Sequence, residues 1–444
     1  MQWSGLFGLT SICYYLLAYF KLRQADMFNT IPYFWGFMAF ALAGFAFIFL
    51  RSVMNKLSED QIRDRLLTIF TVATTTFVSL ALTIELQKDF LPVAIAMEIV
   101  VIAWINNRVV IQCLRSIIGV LAFIFGLLLI PQILLLGQIS LYSILELELK
   151  LQESVPIVEW PLFQLGFPAI MFIGTSLCLK KQKDNWQVQV FEYASVALIG
   201  IMGYYLTRHI FHREASVIFV KSGFFERGVI TNVFFAFSLI CFFIGRIYNR
   251  AAYSTSGIVL FCISLIRLIL FDLMIHNPIW ANQRIDGVVI FNGLTITYGF
   301  SVFWIIKGCH ELKLMNFESF VYVISKLSFL FLFIWCTYNV RFYFHQPFLS
   351  KGQFSNAEIY SYSAVWLVLG VGFLIVGISL KSKSLRIASL GMMVLTVAKV
   401  FLYDASELQG LLRVGSFLGL GLCFIGLSYF YSRFVFGKNR KNSI

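Results

Sequence analysis

The chain reads as an all-α polytopic membrane protein of about fourteen transmembrane helices, and three observations carry that reading. Of its 444 residues, 59% are apolar and only 13% charged, with a mean hydropathy of +0.82; soluble domains lie near about 45–50% apolar and about 25% charged. The apolar residues gather in runs close to the roughly 20 residues that a helix needs to cross a hydrocarbon core. Lys and Arg alternate between rich and poor loops, as they do when basic residues stay on the cytoplasmic side. These features exclude an ordinary soluble enzyme, a disordered chain and a DNA-binding module.

The spans follow in order. Residues 5–20 end at Lys21, and 31–50 end at Arg51. Residues 66–83 follow Arg63 and Arg65; the short run 91–105 holds Glu98. Residues 117–136 stay uncharged through Pro131, and 161–179 end at Lys180 and Lys181. The seventh span, 188–206, contains Glu192, and the eighth, 228–244, follows Arg227. The ninth, 257–274, contains Arg267 and Asp272, and the tenth, 287–306, ends at Lys307. Residues 320–337 contain Lys326, 359–380 end at Lys381, 387–403 contain Lys399, and the Gly-rich last run, 414–431, ends before Arg433.

With this count, the segments sharing a side with both termini hold 20 basic and 6 acidic residues, a net of +14, while the opposite loops hold 12 and 13, a net of −1. Both termini are therefore expected in the cytoplasm. The formal net charge of +13 is then an orienting charge that meets anionic lipid headgroups. No nucleic-acid partner is expected, because no RNA- or DNA-binding motif accompanies the charge. No signal peptide is expected, since no basic residue precedes the first apolar run. The eight cysteines form no Cys-x-x-Cys site and no disulfide framework.

Self-similarity is more informative than motifs here. Arg208-His-Ile-Phe-His212 matches Arg341-Phe-Tyr-Phe-His345 at an offset of 133, and Arg267-Leu-Ile-Leu-Phe-Asp272 matches Lys399-Val-Phe-Leu-Tyr-Asp404 at 132. Each pair falls on corresponding spans, so spans 7–10 and 11–14 read as two parallel four-helix repeats, with a weaker third copy over spans 3–6. The chain divides accordingly into residues 1–65 (two N-terminal spans and a cytoplasmic loop), 66–184 (a degenerate four-helix unit with an outer loop at 138–160), 185–313 (repeat A) and 314–444 (repeat B with a basic cytoplasmic tail).

The repeated polar residues define the candidate site. Spans 7, 9, 11 and 13 run outward, so Arg208, His212, Arg267 and Asp272 of one copy and Arg341, His345, Lys399 and Asp404 of the other collect near the outer surface, with Arg284 and Arg413 at the entrances to spans 10 and 14. Charged groups in spans are costly and face a bundle interior or a wet cavity. Two basic clusters with His beside them suit a phosphate or carboxylate on a lipid or glycan; the competing reading is snorkelling and helix capping. Five residues apart on an α-helix, Arg267 and Asp272 are turned about 140° from each other and are not expected to pair within their helix. Glu192 and Lys326, at similar depth, are expected to form an intramembrane pair. His209, His212 and Glu214 do not make a metal motif, and no metal or cofactor is expected. The alternating stretch Leu145-Glu-Leu-Glu-Leu-Lys-Leu-Gln152 reads as a half-buried strand that pairs with 216–220.

A resemblance is carried by the C-terminal residues Lys399-Val-Phe-Leu-Tyr-Asp404, Leu408-Gln-Gly-Leu-Leu-Arg413-Val-Gly-Ser-Phe417-Leu-Gly-Leu-Gly421 and Tyr429-Phe-Tyr-Ser-Arg433-Phe, and by Arg267 to Asp272 with Phe291-Asn-Gly. These resemble the bacterial predicted membrane protein family called domain of unknown function 2339. The resemblance implies a many-spanning protein of the bacterial inner membrane without an established activity, so no catalytic residue is carried over. The functional expectation is a cell-envelope membrane protein that binds or transports an anionic lipid or glycan at its outer face, more a binder than an enzyme. The alternatives are a lipid-linked glycosyl or acyl transferase using His212 or His345 as base, and a scaffold of an envelope assembly; the expected partners are membrane lipids and envelope proteins.

Overall fold

A computed structural model describes residues 2–24, 33–56, 61–85, 90–108, 112–145, 162–211, 222–404 and 411–431. Joined where a π turn runs into an α-helix, fourteen helices lie among these residues. They are α1 (Gln2–Gln24), α2 (Phe34–Lys56), α3 (Gln61–Glu85), α4 (Leu91–Arg108), α5 (Gln112–Leu145), α6 (Leu162–Gln182), α7 (Trp186–Phe211), α8 (Phe224–Ile247), α9 (Ala251–Ile275), α10 (295–314), α11 (Glu318–Phe344), α12 (Asn356–Ser379), α13 (383–404) and α14 (Leu411–Phe430). Each overlaps one span read from the sequence. Ten of them are long and apolar enough to cross a membrane: α2, α3, α5 to α9 and α11 to α13. The chain is thus a multi-pass membrane protein, all-helical in its described residues.

The element bounds differ from the sequence reading in two informative places. The helix α5 runs on through Pro131 to Leu145, so the first part of the expected outer loop 138–160 is helical; the proposed strand from 146 onward and its partner 216–220 lie outside the described residues. Residues 287–292 are not the start of span 10. They form a tight non-helical loop closed by a bridge between Gly287 and Asn292, with Gly287 at φ +118 and Ile290 at φ +73. Gly287 has no Cβ to clash there, whereas a β-branched residue in the left-handed region is strained and must be held by its surroundings.

Contacts divide the chain into two compact units, 1–221 with 243–256, and 222–242 with 257–444. In the first unit, small residues let α2 approach its neighbours: Ala39, Ala43 and Ala81 are buried around Tyr15, Trp35 and Phe77, as expected where bilayer helices gain by close packing rather than by apolar transfer. A second core of that unit centres on Phe125, Phe172 and Phe191, with ring centroids 4.8 and 5.2 Å apart in edge-on contacts. The core of the second unit is built on Phe235, Phe261, Tyr298 and Phe331. These are packing units, whereas the four sequence blocks were drawn from repeated residues.

Two hairpins show the same local design. The helices α8 and α12 each have 24 residues. Each is followed by a short turn with a left-handed residue, Asn249 at φ +49 and Lys381 at φ +51. Ser238 Oγ donates to Gly257 O at 2.8 Å, and Ser389 Oγ donates to Gly370 O at 2.7 Å. These positions correspond at an offset of 132 with Ser and Gly exchanged, so the same crossing is tied by one hydroxyl whichever helix supplies it.

Candidate functional site

The charged residues of α9 owe their arrangement to a change of helical register. Residues Ala251–Ile266 are α-helical and Arg267–Ile275 are π-helical. A π-helix bonds residue i to i+5, so residues five apart fall near one face rather than the roughly 140° apart of an α-helix. Among the described residues neither bonds the other directly, and each reaches across the helix boundary to α8; the sequence expectation is that the two do not pair within their own helix. Both meet the same hydroxyl: Arg267 Nε donates to Thr231 Oγ1 at 3.0 Å, and that Oγ1 donates to Asp272 Oδ2 at 2.8 Å. Asp272 is 1% exposed, and the Tyr298 hydroxyl donates to its backbone carbonyl at 2.7 Å.

In α13 the change comes at the corresponding place, with α-helix through Lys399 and π-helix over Val400–Asp404. Lys399 Nζ donates to Ser363 Oγ and to Ile359 O, both at 2.7 Å. Ser363 stands 132 residues after Thr231. The side chains of Asp404 and Arg413 and the whole of His212 lie outside the described residues.

Arg341 and His345, near the end of α11, are brought together by a residue the sequence reading did not single out. Glu358 in the first turn of α12 is fully buried and accepts from Arg341 Nη1 at 2.9 and 3.1 Å, from His345 Nε2 at 2.8 Å and from the Tyr362 hydroxyl at 2.8 Å. The remaining guanidinium hydrogens go to the carbonyls of Leu349 at 3.1 Å, Gly352 at 2.9 Å and Lys351 at 3.4 Å, and Phe354 stacks on the guanidinium at 4.3 Å. A buried ion pair of this kind is tolerated because further hydrogen bonds satisfy both partners. Two signals pointed to Glu358. It follows Glu226 by 132 residues, and Ser355-x-x-Glu358 is a capping-box pattern, whose Ser355 hydroxyl accepts from Glu358 N at 3.2 Å.

The other candidates have separate surroundings. Arg208 is buried near the end of α7. Arg250 holds Glu192 at 2.7 Å within the first unit, and Lys326 lies 4.0 Å over the Tyr322 ring within the second. Glu98 accepts from Ser79 of α3 at 2.8 and 2.9 Å. Arg284 is exposed and pairs with Asp286 at 2.9 Å. Its backbone bridges Phe348, over whose ring Lys351 Nζ sits at 4.4 Å, so Arg284 and Lys351 flank one loop crossing. Among the described residues no group of His, Cys, Asp and Glu could hold a metal ion.

Val289 and Ile290, in the loop that follows Arg284, help to wall a cavity of about 360 Å³ lined also by Trp335, Cys336, Asn339, Val340, Tyr343, Phe344, Ser361 and Val365. Three of its polar members are already engaged, among them Trp335, whose Nε1 donates to Thr295 Oγ1 at 3.0 Å. Asn339 Oδ1 accepts from Ile290 N at 3.1 Å and from Asn292 Nδ2 at 2.9 Å, and its Nδ2 donates to Trp335 O at 2.9 Å. Ser361 Oγ donates to Ala357 O at 2.8 Å. The first of these bonds also holds Ile290 in its strained conformation, so the loop that walls the cavity is fixed by α11. What remains for a ligand is an apolar surface of a size within the roughly 300–1,000 Å³ of small-molecule sites.

Comparison with known proteins agrees with the fold. The family model described as predicted membrane protein (DUF2339) matches residues 1–434. No curated protein matches, and no solved structure matches. The chain belongs to the DUF2339 family of membrane proteins.

Proposed function

We propose that this member of the family is a lipid-binding protein of the bacterial cell envelope, which takes one acyl chain of an anionic lipid into the cavity between α11 and α12. The observation that carries the reading is the cavity itself: mostly apolar walls, with Trp335, Asn339 and Ser361 internally hydrogen-bonded, favour hydrocarbon over a glycan or a free anion. The anionic preference rests on Arg284 and Lys351 at the adjoining loop crossing. Arg284 is held by an exposed partner only, and such a surface pair is worth about 0–1 kcal/mol, so a lipid phosphate can replace Asp286. The sequence expectation of a binder at the outer ends of the spans is kept, with its basic residues reassigned: Arg341 and Arg267 hold the scaffold, and Arg284 and Lys351 face the headgroup.

The test is native mass spectrometry of the purified chain offered phosphatidylglycerol and phosphatidylcholine in equal amounts. One retained phosphatidylglycerol is expected. Val340→Trp, which fills the cavity, should remove it, while the double variant Arg284→Gln with Lys351→Gln should retain lipid but lose the preference. Lipid retained unchanged by Val340→Trp would overturn the reading.

In this proposal all fourteen helices cross an inner membrane, in two parallel repeats with both termini in the cytoplasm. The equal lengths of α8 and α12, the paired left-handed turns and the exchanged Ser–Gly contacts support the repeat. A periplasmic reporter fused to the C-terminus should be inactive, and an active one would reverse the assignment of every loop.

A further inference from the structure

We infer that Asp272 is a proton-binding site within the second unit, with the Thr231 hydroxyl as the partner that changes sides when the proton arrives. The inference is independent of the lipid proposal. Thr231 Oγ1 has one proton and lies within reach of two acceptors, Asp272 Oδ2 at 2.8 Å and the carbonyl of Arg227, one turn earlier on α8, at 3.1 Å. It also accepts the Nε–H of Arg267 at 3.0 Å. With Asp272 ionised, the Thr231 O–H donates to the carboxylate, and a bond to a charged acceptor is the stronger of the two choices. With Asp272 protonated, the acid O–H donates to Thr231 Oγ1, and the threonine proton turns to the Arg227 carbonyl. Both states leave every group on this path hydrogen-bonded.

That property separates this site from an ordinary buried ion pair. At Glu358 the carboxylate is held by two bonds from the Arg341 guanidinium, a donor that cannot accept, so the ionised form is favoured. At Asp272 the side-chain donor is the Thr231 hydroxyl, which is able to reverse its role. The charged and titratable groups that face Asp272 are Arg267 on its own helix, Arg227 on α8, and Tyr298 on α10 with Tyr338 of α11 behind it, whose rings stand edge to face at 5.5 Å. The π register is what makes the arrangement available, because it turns Arg267 and Asp272 to the same hydroxyl. Buried acids in spans mark proton and ion paths often enough that this chemistry is the one to test first.

The measurement is infrared difference spectroscopy of the full chain in lipid nanodiscs during a pH titration, following the carbonyl stretch of a protonated carboxylic acid. A titrating band is expected in the wild type and absent in Asp272→Asn. Thr231→Ser, which keeps the hydroxyl, should titrate within about threefold of the wild-type proton affinity, whereas Thr231→Val should differ by about tenfold or more, roughly one pH unit. If Asp272→Asn does not fold, the Ser and Val variants carry the test, with isotope-labelled aspartate identifying the band. No titrating aspartate band in the wild type, or identical titrations of the Ser and Val variants, would overturn the inference.

Discussion

Glu358→Gln is expected to destabilise the second unit by about 3–5 kcal/mol, the cost of leaving a buried charge without its partner. Arg341 keeps three carbonyl contacts and the Phe354 ring in this variant, but none of these neutralises its charge, and only 7% of the residue is exposed to water. His345 and Tyr362 lose a charged acceptor at the same time. The check is thermal unfolding in detergent alongside the double variant Arg341→Met with Glu358→Leu. The double variant should recover most of the loss, since replacing both members of a buried pair by apolar residues is often neutral or stabilising. A single variant within about 1 kcal/mol of wild type would mean that the node behaves as a surface pair.

Arg250→Met is the second large effect, and it falls in the first unit. Arg250 in the turn between α8 and α9 grips two carboxylates that differ in kind: Glu192, 5% exposed along its side chain, and Asp184, 48% exposed. Removing Arg250 strands Glu192, whose Oε1 it holds and whose Oε2 has no hydrogen-bond partner among the described residues, and should cost about 3–5 kcal/mol. Asp184→Asn should cost no more than about 1 kcal/mol, because water replaces the exposed partner. The hydrogen bond from Arg250 holds the Asp184 carboxyl below its ordinary value. A depressed acid contributes stability above its unfolded value of about 3.9 and loses it as the pH falls through the lower folded value. A double-mutant cycle on Arg250 and Asp184 should therefore give a coupling at neutral pH that disappears below the carboxylate range. Equal costs for the two single variants would place the weight on Asp184 and contradict the burial argument.

The helices were legible from sequence because hydropathy averaged over a membrane thickness is insensitive to where any one side chain points. The bounds were less so. Pro131 does not end α5, because neighbouring helices can satisfy what a proline frees within a span. Residues 287–292 looked like a continuation of an apolar run because Val288, Val289, Ile290 and Phe291 are as apolar as a helix would be. They are a loop whose apolar side chains partly wall a cavity.

The site was legible as positions and not as partners. The offset of 132 to 133 singled out Arg267, Asp272, Arg341, His345 and Lys399, each of which has a specific role in the second unit or its hydrogen-bond scheme. It did not reveal that Thr231 and Ser363 are the hydroxyls these cations reach, since neither residue type is unusual in a span. Nor did it reveal Glu358, which was counted only as an outer acidic charge. Nor does the sequence mark the π register over Arg267–Ile275 that turns both residues toward one hydroxyl.

By itself, the sequence determined that this is a many-helix membrane protein, where its helices lie, and which few residues carry charge into them, because a bilayer admits only long apolar helices and makes every exception costly. The tertiary structure decided what those exceptions do. A buried charge must be met by a donor or acceptor on a neighbouring helix, and packing and local register choose that neighbour. Here they close Arg341 onto Glu358, turn Arg267 and Asp272 to one threonine, and leave an apolar cavity beside the loop that carries Arg284.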